Sequence, residues 1–355
     1  MKKNSSLLLY IQKIGYILFL VIFCTSCIDD MNLGFNDTDE KQKIIVSEYD
    51  IENKEKKELL RFTNPSQKPF VRYFNHANKK VIAHNNTFYF IDYKGIIEEV
   101  QLDSLTIDND SYFDISPDNR ELLFAAPVPS ALNSTSITKK KGLYVYDLKD
   151  NTLSLLVAET DKNILFPSYS HSGSHIVYTQ KENAISQLVI MNIQTKKKTV
   201  ISAQDSETIE YGMFAENNNT VVYYASPHSL YEYDRATETK RLLIENKKIS
   251  HSDIRSEYPV FNISRNCVFY SALSEDSLAH ELYKFDCTNN RHQKLLYGKK
   301  PMSVEDNNIV YIKKLCTHNC KDKIMFYNET ENIEISEGSY AIMSKNRKYI
   351  LFISQ

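Results

Sequence analysis

Short apolar runs alternate with polar turns along most of the chain, in a pattern that suits strands. The stretch "ISPDNRELLF" (115–124) sets it: an apolar residue, a Ser-Pro-Asp-Asn turn, then an apolar strand. Pro117 fixes φ for the second position of a turn, while Asp118 and Asn119 tolerate left-handed backbone and hydrogen-bond locally. Leu122, Leu123 and Phe124 then read as a short buried strand. The succession recurs in "YSHSGSHIVYT" (169–179), "FAENNNTVVYY" (214–224), "NISRNCVFYS" (262–271) and "MSKNRKYILFI" (343–353), and in weaker form at 74–84 and 304–312. Anchored on the residue after the leading apolar one, the copies fall at Asn75, Ser116, Ser170, Ala215, Ser264, Glu305 and Ser344. Successive anchors lie 39 to 54 residues apart. That period fits a unit of about four strands, a propeller blade.

Six anchors are followed by a second strand-turn-strand pair, such as "GLYVYDLKDNTLSLLV" after Ser116. The seventh, Ser344, is followed only by the end of the chain. The missing pair has its counterpart at the other end, where "KIIVSEYDIENKEKKELLRF" (43–62) carries the same pattern ahead of the first anchor. Strands from both termini would then share one blade and leave the ring without free sheet edges. The expected fold is all-β: a seven-bladed β-propeller of four-stranded antiparallel blades, its C-terminal blade completed by N-terminal strands.

With its Ser-Pro-Asp turn and following strand, "ISPDNRELLF" resembles the repeat of TolB-like β-propellers, and the resemblance covers nearly all of 43–355. Only this copy keeps Pro and Asp together, and Gly survives only at Gly173. The chain has no Trp, so the Trp-Asp signature of ordinary WD repeats is absent. Composition agrees with an all-β ring: 24 Tyr and 17 Phe suit half-buried strands, and with only 8 Gly in 355 residues Asn and Asp must carry many turns.

The amino terminus reads as an address. Lys2, Lys3 and Lys13 precede an apolar run, Ile14 to Phe23, that is short for a membrane span and suits an export signal. The run ends in "CTSC", where Ser26 and Cys27 resemble the last positions of a lipoprotein box. The resemblance implies cleavage before Cys27 and a lipid on its sulfur. Residues 1–26 are therefore expected to be a signal peptide, 27–42 an acidic flexible tether, and 43–355 a single propeller domain. Removing the signal takes away three Lys and no carboxylate, moving the formal charge from −2 to −5. An acidic chain without a basic stripe points away from nucleic acid.

The remaining cysteines suit an oxidising compartment. If Tyr270 pairs with Lys284, Cys267 stands opposite Cys287, and Cys316 and Cys320 close a tight loop, so two local disulfides are expected. A rival for the second pair is a metal site of Cys316, His318 and Cys320.

Some TolB-like propellers are lyases of uronic-acid oligosaccharides with channel-facing histidines on a metal, so histidine placement discriminates. Of the inner-strand segments, "PFVRYF", "SYFDI", "ILFPSY", "IEYGMF", "EYPVFNI" and "SYAIM" contain no His, and Arg72, Asp114 and Glu210 are their obvious ionisable residues. No Gly-x-Ser-x-Gly elbow, phosphate loop or His-Glu-x-x-His occurs. No catalytic residue, metal or cofactor is expected. The reading is a non-catalytic binding or scaffolding module, exported and lipid-anchored in the bacterial cell envelope, with an envelope protein, peptide or glycan as partner. The alternative is a metal-dependent uronate oligosaccharide lyase or other carbohydrate-active propeller enzyme. Strand direction puts His228, His251, His280 and His318 on the face opposite the anchor turns, with the long loop 126–141 as the expected recognition element.

Overall fold

The computed structural model describes residues 43–63, 68–74, 79–102, 105, 113–127, 141–158, 162–182, 185–202, 208–226, 229–244, 261–273, 279–313 and 322–354. Their 28 strands form seven antiparallel sheets of four, a seven-bladed β-propeller. Blades 1 to 6 follow one another along the chain, at 70–101, 113–157, 163–202, 208–244, 261–297 and 299–337. Blade 7 joins Tyr340–Met343 and Tyr349–Ser354 to Lys43–Asp50 and Glu55–Thr63. The expected closure is therefore observed. Lys43–Asp50 pairs with the last strand over six residue pairs, from Ile45 opposite Ser354 to Asp50 opposite Tyr349.

The sequence explains the order of strands within a blade. Second strands are buried on both faces and so read as unbroken apolar runs. In blade 2, Leu122, Phe124 and Ala126 pack toward blade 1, whereas Leu123 and Ala125 pack toward blade 3. Fourth strands are mostly exposed and carry the charges, as in Thr239–Ile244. The core is thus a series of layers between blades.

Each anchor shapes its own turn. The Ser116 hydroxyl accepts from the amides of Arg120 (3.1 Å) and Glu121 (2.9 Å) and donates to Asp118 (2.6 Å). Ser170 accepts from the His175 amide (3.1 Å) and Ser344 from that of Tyr349 (3.0 Å). The left-handed position of these turns is filled by Asn119, Gly173, Asn218 and Arg347. In blade 4, where Ala215 has no hydroxyl, Asn217 accepts from the amides of Asn219 and Thr220 instead. That is the work of the "ENNNT" run.

A second repeated device closes the outer hairpins. Asp50, Asp92, Asp147, Asn192, Asp234, Asp286 and Asn328 each begin the turn between third and fourth strands, and each accepts backbone amides from residues just beyond it. One stands in every blade. Asp50 does for the N-terminal hairpin what the others do for theirs, which identifies it as a true outer pair.

The closing strand is also tied sideways. Glu48 forms a buried ion pair with Lys80 of blade 1 at 3.1 Å, their side chains 13% and 8% exposed, and accepts the Tyr73 hydroxyl at 2.9 Å. Removing one member of such a pair leaves a buried charge alone, which typically costs about 3–5 kcal/mol. Glu48→Gln is expected to lower stability to unfolding in urea by about that amount. The double variant Glu48→Met, Lys80→Met should lose less than Glu48→Gln, because no uncompensated charge stays buried.

Candidate functional site

First strands of all seven blades surround a central cavity of about 270 Å³. Its wall carries Arg72 from blade 1, Asp114 from blade 2, Phe166 from blade 3 and Tyr211 from blade 4. Asn262, Met302 and Tyr340 continue it through blades 5, 6 and 7. Much of the polar chemistry on this wall fastens neighbouring blades together. Asp114 reaches into blade 3, accepting from the Ser168 hydroxyl (3.0 Å) and the Tyr169 amide (2.8 Å), while its other oxygen accepts from the Ile115 amide (2.9 Å). Asn262 repeats the geometry three blades on, accepting from the Ile263 amide and donating to the Met302 carbonyl at 3.2 Å. Ser303 accepts from the Met343 amide at 3.1 Å. Arg72 closes the sequence, donating to the Tyr340 hydroxyl of blade 7.

Aromatic rings complete the wall. The Arg72 guanidinium lies over Phe113 at 5.7 Å and Tyr340 at 5.9 Å. Tyr211 stands edge-on to Phe166, 5.8 Å between centroids. Phe166 itself has φ 52°, uncommon for a bulky residue, at a register shift in the pairing of its strand just before Pro167. Lys300 before Pro301 repeats this in blade 6, with φ 54°. Bulges of this kind re-aim side chains, and the ring of Phe166 is set against the cavity.

The cavity reaches the anchor turns, where His171, Glu305 and Lys345 line it. Burial, with help from Asp306 and Glu216, outweighs Lys345 and Arg347 and pushes the Glu305 carboxyl up to about 7. Burial, reinforced by Lys345, lowers His171 against the opposing pull of Glu216 and Asp114. Beside them Asp306 pairs with Arg265 and Arg347, each at 2.7 Å, linking blades 5, 6 and 7.

Of the inner-strand ionisable residues singled out in the sequence, Arg72 and Asp114 line the cavity, and Glu210 does not. His280 opens the third strand of blade 5 and is not part of the cavity wall. His228, His251, His318, Cys316, Cys320, Cys27 and loop residues 128–140 lie outside the described residues. The expected bridge between Cys267 and Cys287 is corrected. Tyr270 pairs with Tyr283, not Lys284, so Cys267 faces Asp286 and Cys287 falls one residue beyond. A one-residue offset turns side chains to opposite sheet faces. Cys267 packs toward blade 6 and Cys287 toward blade 4, both as free thiols. Burial raises both, Cys287 up to about 12. The sequence reading missed His171, Glu305 and Lys345 because it searched inner strands, whereas these sit at an anchor or directly after one.

No family model matches the chain, and no curated protein matches it in sequence. Solved structures do match in fold. TolB from Agrobacterium tumefaciens superposes with a TM-score of 0.52 at 11% identity, over 88% of this chain and 97% of that one. Oligogalacturonate lyase from Vibrio parahaemolyticus gives 0.58 at 12%, over 88% and 98%. Puromycin hydrolase gives 0.61 at 10%, over 84% of this chain and 52% of that one. The chain also spans 64% of TolB from Acinetobacter baumannii. At these identities the likeness is one of fold, a TolB-like propeller.

The raised Glu305 carboxyl has a measurable consequence. Between about pH 4.5, the ordinary glutamate value, and about pH 7, the folded protein keeps a proton that the unfolded chain has released. This group therefore makes stability fall as pH rises through that window. Melting curves at pH 5 and pH 8 should show wild type losing stability relative to Glu305→Gln, and an unchanged difference between the two proteins would contradict it.

Proposed function

We propose that this chain is an exported, lipid-anchored binding or scaffolding module of the bacterial cell envelope, without catalytic activity of its own. The observation that carries this reading is the use of the inner-strand polar groups. Asp114 has three donors on its two oxygens, and Asn262 and Ser303 bond to neighbouring blades. A carboxylate so committed is poorly placed to exchange protons with a substrate. Such a wall serves rigidity, and a rigid ring presenting loops is suited to recognition.

Loop 126–141 is the proposed contact with an envelope protein, peptide or glycan. Its base is firm: the strands flanking it stay paired to Pro127 opposite Lys141, and Ala126 and Lys141 are buried. Attachment to the membrane would be through a lipid on Cys27, the residue that closes "CTSC" after the apolar run. A carbohydrate-active enzyme is the second reading. It is favoured by the fold likeness to oligogalacturonate lyase and by Glu305, whose carboxyl near 7 is poised to give or take a proton.

Cys27→Ala should move the protein from the membrane to the soluble fraction and abolish labelling by a fatty acid. Replacing residues 128–140 with a short Gly-Ser link should abolish recovery of the partner from envelope extracts while the ring stays folded. Unchanged recovery would remove the loop from the interface. Metal-dependent cleavage of an acidic oligosaccharide by the purified protein would establish the second reading instead.

A further inference from the structure

Every blade keeps one outer edge, the free side of its fourth strand, and the unpaired amides and carbonyls along such an edge are a template for another strand. Charged side chains are the usual protection. Five of the seven fourth strands carry two or more, as Glu98 and Glu99 do in blade 1 or Lys240 and Arg241 in blade 4. Blade 3 has Lys198. The fourth strand of blade 2, Thr152–Val157, reads "TLSLLV" and has none.

The first four residues of that strand are exposed, Leu153 at 41% and Leu155 at 46%. Both leucines stand on one face of the sheet, since the cross-strand rows run Leu122, Tyr146, Leu153 and Phe124, Tyr144, Leu155. That face looks toward blade 1, which exposes Tyr93, Ile96 and Ile97 on its own outer hairpin. Five of the nine exposed large apolar side chains among the described residues thus gather on two neighbouring blades. Apolar residues scattered singly over a surface need no partner, but a group of them beside an edge without charge marks a contact.

The sequence of the edge decides what fits it. Two copies of one strand related by a twofold axis pair antiparallel with one residue facing itself. With Ser154 on the axis, Leu153 of each copy stands opposite Leu155 of the other, and no charge meets its like. The same operation about the middle of the blade 1 or blade 6 edge would set Glu99 or Glu334 against its own copy, and like charges directly opposite destabilise a pair. We infer that this chain forms a twofold dimer through the outer edge of blade 2, the Thr152–Val157 strands of two copies pairing antiparallel about Ser154 with the exposed leucines meeting across the join. The strand is irregular between Leu155 and Val157, which keeps the ladder short, so the dimer is small in area and reversible.

Sedimentation velocity of the full chain in a neutral detergent, over a range of concentrations, tests the inference. Wild type should pass from monomer to dimer in the micromolar range. The double variant Leu153→Lys, Leu155→Lys puts like charges across the join and should dimerise at least tenfold more weakly, as should Leu153→Glu, Leu155→Glu. An equimolar mixture of these two variants should recover the dimer. Melting curves will show that the variants are folded. In a second arm, Ser154→Cys stands opposite its own copy at about 4.5–5.5 Å between Cα atoms, within the span of a disulfide, and should give a covalent dimer on oxidation. Thr152→Cys, opposite Leu156 in this register, should give far less. A wild type that stays monomeric, full dimerisation of either double variant, a mixture that stays monomeric, or equal cross-linking of the two cysteine variants would each overturn it. The chain with 128–140 replaced should dimerise as wild type does, which separates this interface from the proposed partner contact.

Discussion

The strand Lys43–Asp50 lies between the last strand of the chain and its own hairpin partner, and ring closure rests on the hydrogen bonds along both its edges. Without it, blade 7 would keep only two strands, and Tyr349–Ser354 would expose an unpaired edge. Its residues are suited to that position. Val46 and Ser47 are fully buried, and Ile44 and Tyr49 enter the apolar layer that joins blades 6, 7 and 1. Glu48 brings a charge into this layer, paired at once with Lys80 and Tyr73, so that the strand joins blade 7 by its backbone and blade 1 by a charge.

From that closure follows the character of the centre. A ring of twisted sheets brings its first strands together where space is least, and each must contact its neighbours on both sides. Side chains that bond across blades answer the need, as Asp114, Asn262, Ser303 and Arg72 do. The anchor-turn face adds an outer set of ties: Ser172 to Asn218, Arg265 to Glu216, and Asp306 to both Arg265 and Arg347. Rigidity at the centre and chemistry at the mouth therefore come from different residues.

The repeat, the blade count and the sharing of blade 7 were all legible in the sequence, because each depends on local signals that recur: a serine capping its own turn, a left-handed Asn or Gly, an apolar run buried on two faces. The Cys267–Cys287 bridge failed for a different reason. Register in a hairpin turns on a single residue, and "CVFYSAL" against "ELYKFDC" offers two apolar alignments that differ by one. The mouth of the cavity was legible in part. Writing the copies under one another on their anchors puts Pro117, His171, Glu216, Arg265 and Lys345 in one column, directly after the anchor, and three of these, Pro117, His171 and Lys345, line the turn-side opening. What no alignment of copies yields is depth: that Glu305 is buried enough to hold its proton, or that a bulge before Pro167 sets Phe166 against the cavity, depends on how all seven blades pack.

Sharing one blade between the two ends of the chain also sets a timetable. Lys43–Asp50 leaves the ribosome among the first residues of the propeller, and its partner Tyr349–Ser354 among the last. A hairpin of 43–63 can form early, but it has no sheet to join until Tyr349–Ser354 has been made. Pairing at such separation is slow, since the ends of nearly the whole chain must be brought together before any contact rewards it. Until that last strand arrives the ring stays open, and its locking is the final step of folding.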